Sequence, residues 1–336
     1  MKIIVPMAGM GKRMRPHTLV VPKPLIPVAG KTIVHRLVED IAGVCNEKIE
    51  EIAFIIAPTF GKKVEADLIK IAENLGAKGS ICYQEEALGT AHAILCAQHA
   101  LDGRVVIAFA DTLFRADFIL DDTKDGIIWV QQVEDPSAFG VVKLNAQNEI
   151  TEFVEKPTTL VSNLAIIGIY YIKDGARLKT ELQYLIDNDI KDKGEYQLTN
   201  ALENLKQKGV KFVPGEVKEW LDCGNYKATV YSNQRVLEFI KNKEKMRGDG
   251  VVLENSVIIE PCLIGNNVTI KNSVVGPHVS IAQNCKVVDS VVKNSIVYEE
   301  THIENQIIAD SMIGKNVVLK GKSRELSIGD FTTEIL

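Results

Sequence analysis

"KIIVPMAGMGKRMRPHTLVVPKPL" spans residues 2–25. The apolar run Ile3-Ile4-Val5 gives way at Pro6 to a stretch that reaches Leu25. That stretch holds two glycines two apart, five basic residues, four prolines and no acid. An unbroken β-branched run predicts a strand buried on both faces. Glycines directly after it let backbone N–H groups converge on an anion at the strand's end. Two alternative motifs fail on spacing. A dinucleotide fingerprint needs a third glycine, whereas the pattern is Gly9-x-Gly11-x-Arg13. "AGKT" at 29–32 looks like the end of a P-loop, but Leu25 stands where its first glycine belongs. The prolines fix the path of a loop carrying Arg13, Arg15 and Lys23. Guanidinium groups grip phosphate bidentately and an ammonium acts as a point charge, so the loop predicts a polyphosphate site.

The surrounding chain extends this reading. "IAFIIA" (52–57), "SICYQ" (80–84) and "VVIAFA" (105–110) are further runs expected as buried strands. Helical stretches near 31–44, 61–76 and 89–100 separate them, and this βαβα order predicts a doubly wound, Rossmann-like sheet. A β-rich insert follows at 126–172, which makes the sheet mixed. Helices are expected near 175–188, 195–208 and 225–243, and "NKEKMRGDG" (242–250) reads as a linker.

Beyond residue 250 the periodicity changes. Val252, Ile258, Ile264, Ile270, Val275, Ile281, Val287, Val292, Val297, Ile303, Ile308, Ile313 and Leu319 follow one another in steps of five or six only. No helix face and no plain strand has that period. A coil of short strands has it, with one inward aliphatic per side and then a turn. The tail therefore predicts a hexapeptide-type, left-handed parallel β-helix of about four coils. The expected domains are 1–241, the β-helix at 250–322 and a tail at 323–336.

Composition is that of a soluble enzyme, with 46% hydrophobic and 25% charged residues. The net charge of -5 excludes a general nucleic-acid surface and confines anion binding to a local site. Six cysteines without a CxxC pair suggest neither a zinc knuckle nor a disulfide framework. No apolar run reaches membrane-spanning length, and the N-terminus breaks into Gly, Lys and Arg too early for a signal peptide. A cytoplasmic location and no membrane partner are expected.

The opening loop resembles the signature of the sugar-1-phosphate nucleotidylyltransferases, of the glucose-1-phosphate thymidylyltransferase type. The likeness continues through "YQEEALGTAHA" (83–93), "FADTLF" (109–114), "FGVVKLNAQNEITEFVEKP", "SNLAIIGIYYI", "GEYQLTNAL" and "WLDCGN", in family order over about 230 residues. The wider family also carries hexapeptide β-helices after its catalytic domain. Asn200 departs from the family pattern, where an Asp is common, and Cys223 and Asn225 depart from it in "WLDCGN".

The resemblance implies attack by a sugar phosphate oxygen on the α-phosphorus of a nucleoside triphosphate, with pyrophosphate leaving. The attacking phosphate is largely dianionic at neutral pH, so alignment and charge neutralisation matter more than a general base. Arg13, Lys23 and Asp111 are the expected catalytic residues. Gly9, Gly11, Arg13 and Lys23 would hold the triphosphate. Gln84 would pair with the base through an amide that can donate and accept, with Gly89 and Thr90 against it. Asp111, expected at a strand end, and Asp222 would share Mg²⁺, a hard ion suited to carboxylate and phosphate oxygens. The resemblance gives Lys156 the sugar phosphate and Glu155 sugar hydroxyls; Gly140, Asn163, Tyr170 and Glu195 are further candidates for that half of the site. His92 reads as a helix residue facing its neighbours.

The favoured substrates are dTTP or UTP with glucose-1-phosphate. Guanylyl transfer to mannose-1-phosphate stays open, as does a non-catalytic regulatory subunit, although such a subunit should have lost part of the Arg13, Lys23, Asp111, Lys156 and Asp222 set. A β-helix that adds acyl transfer would need His278 or His302. An aliphatic coil stack also predicts subunit contact, hence a homo-oligomer.

Overall fold

The computed structural model describes residues 1–115, 119–328 and 330 of the chain. By contacts it divides into two units, residues 1–27 with 31–229, and residues 28–30 with 230–336. The unit boundary thus falls between residues 229 and 230, inside the last helix of the chain. Of the expected tail at 323–336, residues 329 and 331–336 lie outside the described residues.

The first unit is built on nine paired strands. The opening run forms β1 (Lys2–Pro6), whose Ile3, Ile4 and Val5 are wholly buried. It is flanked by two parallel neighbours, β2 (Glu51–Ile56) and β4 (Val105–Ala108), with β3 (Lys78–Tyr83) beyond β2. Helices α1 (Ile33–Val44), α2 (Lys62–Asn74) and the short α3 (Thr90–Leu95) lie between these strands in sequence. A central strand between parallel neighbours has no watery face, which is why it reads as continuously apolar. β3 differs from expectation. It is the edge of the sheet, and among its residues only Cys82 is buried.

The β-rich insert supplies β6 (Gly126–Gln132), β7 (Gly140–Leu144), β8 (Ile150–Glu155) and β9 (Leu164–Ile172). β9 runs antiparallel to β4, which makes the sheet mixed. Two helices follow, α4 (Gly175–Asp187) and α5 (Leu198–Gln207), and β10 (Phe212–Glu216) then pairs with β6. Outside this sheet, β5 (Thr112–Arg115) and β11 (Glu219–Asp222) form a separate antiparallel ribbon. The last helix, α6 (Tyr226–Ile240), closes the α/β part of the chain.

In the second unit, short strands stack into three parallel sheets of 5, 4 and 4 strands, the coil of a hexapeptide β-helix. Neighbouring coils lie 17 residues apart at Asn255–Asn272 and Asn272–Asp289, and 16 at Asn294–Asp310. Asn267, Asn272, Asn284, Asp289 and Asn294 all have positive φ, the left-handed conformation an L-residue visits most readily as Asn or Asp. Hence the asparagines punctuate the aliphatic ladder. Serines add a second column: Ser273 Oγ accepts from the Ser290 N–H at 3.1 Å, and Ser290 Oγ from the Gln306 N–H at 3.1 Å. From Ile264 to Ile303 the ladder residues form the buried core of the stack, with Ile313 at its far end. The first rung is a correction. Val252 is 48% exposed, and Leu253 is the residue in register with Ile270. A five-or-six step is ambiguous by one residue at the open end of a stack, where no preceding coil fixes the inward face.

Asn233, wholly buried in this unit, joins its segments. Its Oδ1 accepts from the Ala29 N–H at 2.9 Å and from Ser280 Oγ at 2.7 Å. The six cysteines are free thiols. No helix among the described residues is long and apolar enough to cross a membrane.

Because each coil is supported only by its neighbours, a cavity there is felt locally. Ile281→Ala, at a fully buried rung, should cost about 3 kcal/mol. Val257→Ala, at an exposed outward position, should stay within about 0.5 kcal/mol of the parent. Thermal unfolding of the two variants side by side checks this, and equal losses would contradict the inward assignment.

Candidate active site

The loop after β1 is held by two single 3-10 turns, Lys12–Met14 and Lys23–Leu25. Gly11 caps the first with φ 61°, and a Cβ there would stand 2.6 Å from Lys23 Cβ. Glycine is therefore required twice over, by conformation and by close packing. Met14 is fully buried and anchors the turn, and Thr18 Oγ1 donates to the Gly11 carbonyl at 2.8 Å. Pro22 precedes the second turn and sets its entry. The Lys23 side chain is only 8% exposed, and its Nζ lies 3.0 Å from Asp111 Oδ2. A buried ammonium needs such a partner.

Asp111 stands between β4 and β5. β5 pairs with β11 so that Thr112 faces Asp222, and the Cys223 N–H donates to the Asp111 carbonyl at 3.0 Å. The ribbon thereby brings together two carboxylates far apart in sequence. Asp222 Oδ1 accepts from the Gly224 N–H at 2.9 Å. Burial pushes the Asp222 carboxyl above the usual carboxylate range, and the Asp111 charge pushes it further; Lys23, the Gly224 N–H and Arg13 pull the other way. Lys23 offsets part of this like-charge repulsion, and a bound cation would offset more of it. The donors are hard oxygens, which fit a magnesium-like ion. Among the described residues no cluster of three or more His, Cys, Asp or Glu side chains is placed to hold a metal. An ion at the pair would draw its remaining ligands from bound phosphate and water.

Two cavities share this centre. The first, of about 440 Å³, is lined by Gly9, Gly11, Arg13, Lys23, Gln84, Gly89, Thr90 and Asp111. The second, of about 300 Å³, is lined by Gly140, Glu155, Lys156, Tyr170 and Asp222, and Arg13, Thr90, Asp111 and Glu195 line both. Gly89 adopts φ 118° and ψ 176°, and a Cβ there would stand 2.4 Å from the Tyr196 carbonyl oxygen. Thr90 is committed locally: Oγ1 accepts from the Leu198 N–H at 2.9 Å and donates to Gln197 Oε1 at 3.2 Å.

In the second cavity Glu155 Oε2 accepts from Thr199 Oγ1 at 3.4 Å, and Lys156 Nζ lies 3.5 Å from Glu155 Oε1. Tyr170 is both core and lining. It is 7% exposed and stands edge-on to Phe109 at 6.1 Å. Burial raises its phenol pKa, with the Glu155 and Asp111 charges adding to the rise. Asn163 lines neither cavity; it is exposed, and its carbonyl accepts from the Val133 N–H at 3.0 Å.

The structure adds residues that the sequence reading passed over. Lys193 Nζ donates to the Glu155 carbonyl at 3.2 Å and to the Lys156 carbonyl at 2.6 Å. Trp220 lines the second cavity, edge-on to Phe139 at 5.2 Å. It stands two residues before Asp222 on one strand, the spacing that puts two side chains on one face. Lys12 lines the first cavity beside Arg13. In the coil stack His278 Nε2 is 2.7 Å from Glu238 Oε1, and His302 Nε2 is 3.5 Å from Glu304 Oε2.

Known proteins share this arrangement of chain. The nucleotidyl transferase family profile matches residues 2–238. The bifunctional protein GlmU of Methanococcus maripaludis is 32% identical over 94% of this chain and 78% of its own length. A glucose-1-phosphate thymidylyltransferase of Streptomyces antibioticus is 28% identical over 94% of this chain and 93% of its own. Against the bifunctional protein GlmU of Methanococcus aeolicus, 31% identical, this chain spans only 60% of the relative's length. Two solved structures share the fold. A UDP-glucose pyrophosphorylase complexed with UDP-glucose superposes at TM-score 0.58, with 22% identity over 71% of this chain and 98% of its own. A putative glucose-1-phosphate thymidylyltransferase from Bacillus anthracis gives 0.59, with 23% identity over 73% of this chain and 96% of its own. Since the profile takes in well over half of the sequence, together with the loop, the ribbon and both cavities, the chain belongs to the nucleotidyl transferase family and carries that enzyme domain.

Proposed function

We propose that the chain transfers a nucleotidyl group from a nucleoside triphosphate to a sugar-1-phosphate, with dTTP or UTP and glucose-1-phosphate as its favoured pair, releasing pyrophosphate. One observation carries the reading: a Lys23–Asp111 pair at 3.0 Å, with Arg13 beside it, lines the cavity that Gln84 and Gly89 also line, while Arg13 and Asp111 reach the Glu155–Lys156 cavity as well.

In this reading the first cavity takes the triphosphate. Backbone N–H groups around Gly9 and Gly11 approach its oxygens, and Arg13 and Lys23 neutralise them. Gln84 meets the edge of the base. The second cavity takes the sugar phosphate, with Lys156 on the phosphate and Glu155 on hydroxyls. Lys193 holds the backbone beneath both. Asp111 and Asp222 would hold Mg²⁺, which supplies charge neutralisation at the α-phosphate. Holding nucleophile and electrophile in line on a rigid ribbon provides most of the remaining acceleration. The reaction needs no general base, because the attacking oxygen already carries charge.

A panel of four NTPs against glucose-1-phosphate and mannose-1-phosphate, followed by pyrophosphate release, tests the reading. The pyrimidine NTPs with glucose-1-phosphate should give the highest kcat/KM. GTP with mannose-1-phosphate ahead by tenfold or more would overturn the assignment. The aliphatic coil stack supports a homo-oligomer, so light scattering should return a multiple of 37.1 kDa; a mass of 37.1 kDa itself would overturn that part.

A further inference from the structure

Gln84 stands at the end of β3, fixed by its backbone N–H, which donates to the Ile56 carbonyl at 2.9 Å. Its side chain lines the first cavity. The amide nitrogen Nε2 is 3.4 Å from the Gly89 carbonyl oxygen and 3.3 Å from His92 Nδ1. A carbonyl oxygen only accepts, so the atom facing it must be the –NH₂ group, which fixes the amide's orientation by chemistry. The second amide hydrogen then meets His92 Nδ1. That nitrogen must offer a lone pair, so the partners assign His92 as the neutral tautomer carrying its proton on Nε2. Both Gln84 donors are committed, and only Oε1 remains for a ligand.

We propose that His92 is a positioning residue that locks the Gln84 amide with its carbonyl oxygen toward the base, so that the site selects a pyrimidine bearing an N3–H over one bearing an N3 lone pair. Uracil and thymine present a donor at N3, whereas cytosine presents an acceptor there, and an acceptor facing Oε1 is repelled. The proposal rests on the pyrimidine-nucleotide reading above and states the physical basis of its selectivity. Gln84 alone does not provide it, because a freely rotating amide offers either end. Gly89 supplies one restraint and His92 the other. The helix that carries His92 begins directly after Gly89, so one short segment sets both.

The test compares UTP and CTP at fixed glucose-1-phosphate in the parent chain and in His92→Leu, His92→Asn and Gln84→Ala. Leu removes the acceptor, while Asn places a carbonyl oxygen near the site of Nδ1. His92→Leu should lower the UTP-to-CTP ratio of kcat/KM about tenfold, the scale of one hydrogen bond in a selective site, and through KM for UTP more than through kcat. His92→Asn should restore most of the ratio. Adding His92→Leu to Gln84→Ala should change nothing further, because His92 acts through Gln84. An unchanged ratio in His92→Leu, or a further loss in the double variant, overturns the proposal. If His92→Leu fails to fold, a ratio in His92→Asn as low as that of Gln84→Ala would do so too. A parent chain that releases pyrophosphate with neither UTP nor dTTP sinks the functional reading instead, and the two failures are thus distinguished.

Discussion

Asp222→Asn should lower kcat about a thousandfold while the chain stays folded. A loss of that size is about 4 kcal/mol of transition-state stabilisation, the upper range for removing one preorganised electrostatic group. The fold should survive because Asn keeps the oxygen that accepts from the Gly224 N–H at 2.9 Å. The pKa direction sharpens the expectation. Asp222 is pushed up by burial and by Asp111, so its ionised form is disfavoured by folding. The folded state gains from its proton at low pH, and that gain disappears as pH rises through the raised value. At neutral pH, without a cation, the charge weakens the fold, and Asp222→Asn should leave Tm unchanged or higher. Asp111→Asn should cost a similar factor in kcat, and the double variant little more than either single, since in the proposed reading both would serve one ion. A Mg²⁺ titration of the single and double variants decides it. Near-parental kcat and Mg²⁺ dependence in Asp222→Asn would make Asp222 a structural cap of the ribbon.

Gly89→Ala should nearly abolish turnover by a different route. Its φ of 118° and ψ of 176° lie in a region that only glycine occupies comfortably, which costs an alanine about 1–3 kcal/mol. The added Cβ would also stand 2.4 Å from the Tyr196 carbonyl and 2.6 Å from its nitrogen. Backbone cannot swing aside as a side chain can. Relief has to come from separating Gly89 from Tyr196, which breaks the Ala91 N–H to Tyr196 carbonyl and Tyr196 N–H to Leu88 carbonyl bonds, both 2.9 Å. Glu195 and Gln84 then move out of their shared geometry. We expect kcat/KM to fall at least a hundredfold, with a misplacement of about 1 Å sufficing, and KM for the nucleotide to rise. Isothermal titration with the NTP would show whether binding is lost; undiminished affinity would mean that the segment tolerates a side chain.

The sequence was most informative where spacing itself carries chemistry. Arg13 and Lys23 sit in a loop whose prolines and glycines permit few paths, and both line the first cavity. The Asp111–Asp222 approach was harder to read. It depends on strand pairing between Thr112 and Asp222, which no local pattern encodes, and only the likeness to related chains suggested it. Lys193 escaped notice because it works through backbone carbonyls of Glu155 and Lys156, a contact without a side-chain signature. Asn163 was proposed from its block and proves exposed, one residue before β9 begins at Leu164. The β-helix register was legible wherever coils stack on both sides and slipped by one residue at its open end. "SICYQ" looked as buried as its neighbours because composition does not reveal which strand ends a sheet.

The make-up of the second unit has an evolutionary consequence. The second unit is not a single run of chain. It takes up residues 28–30, only a few positions after Lys23, and Asn233 holds Ala29 there by its N–H at 2.9 Å. Gene fusion at one crossover point therefore could not graft this tail onto another catalytic domain, or lend this catalytic domain a different tail, without mismatching that inserted triplet. The two parts should have diverged as a pair, with substitutions at 28–30 tracking substitutions around Asn233 and Ser280 and not those in the neighbouring loop from Gly9 to Lys23.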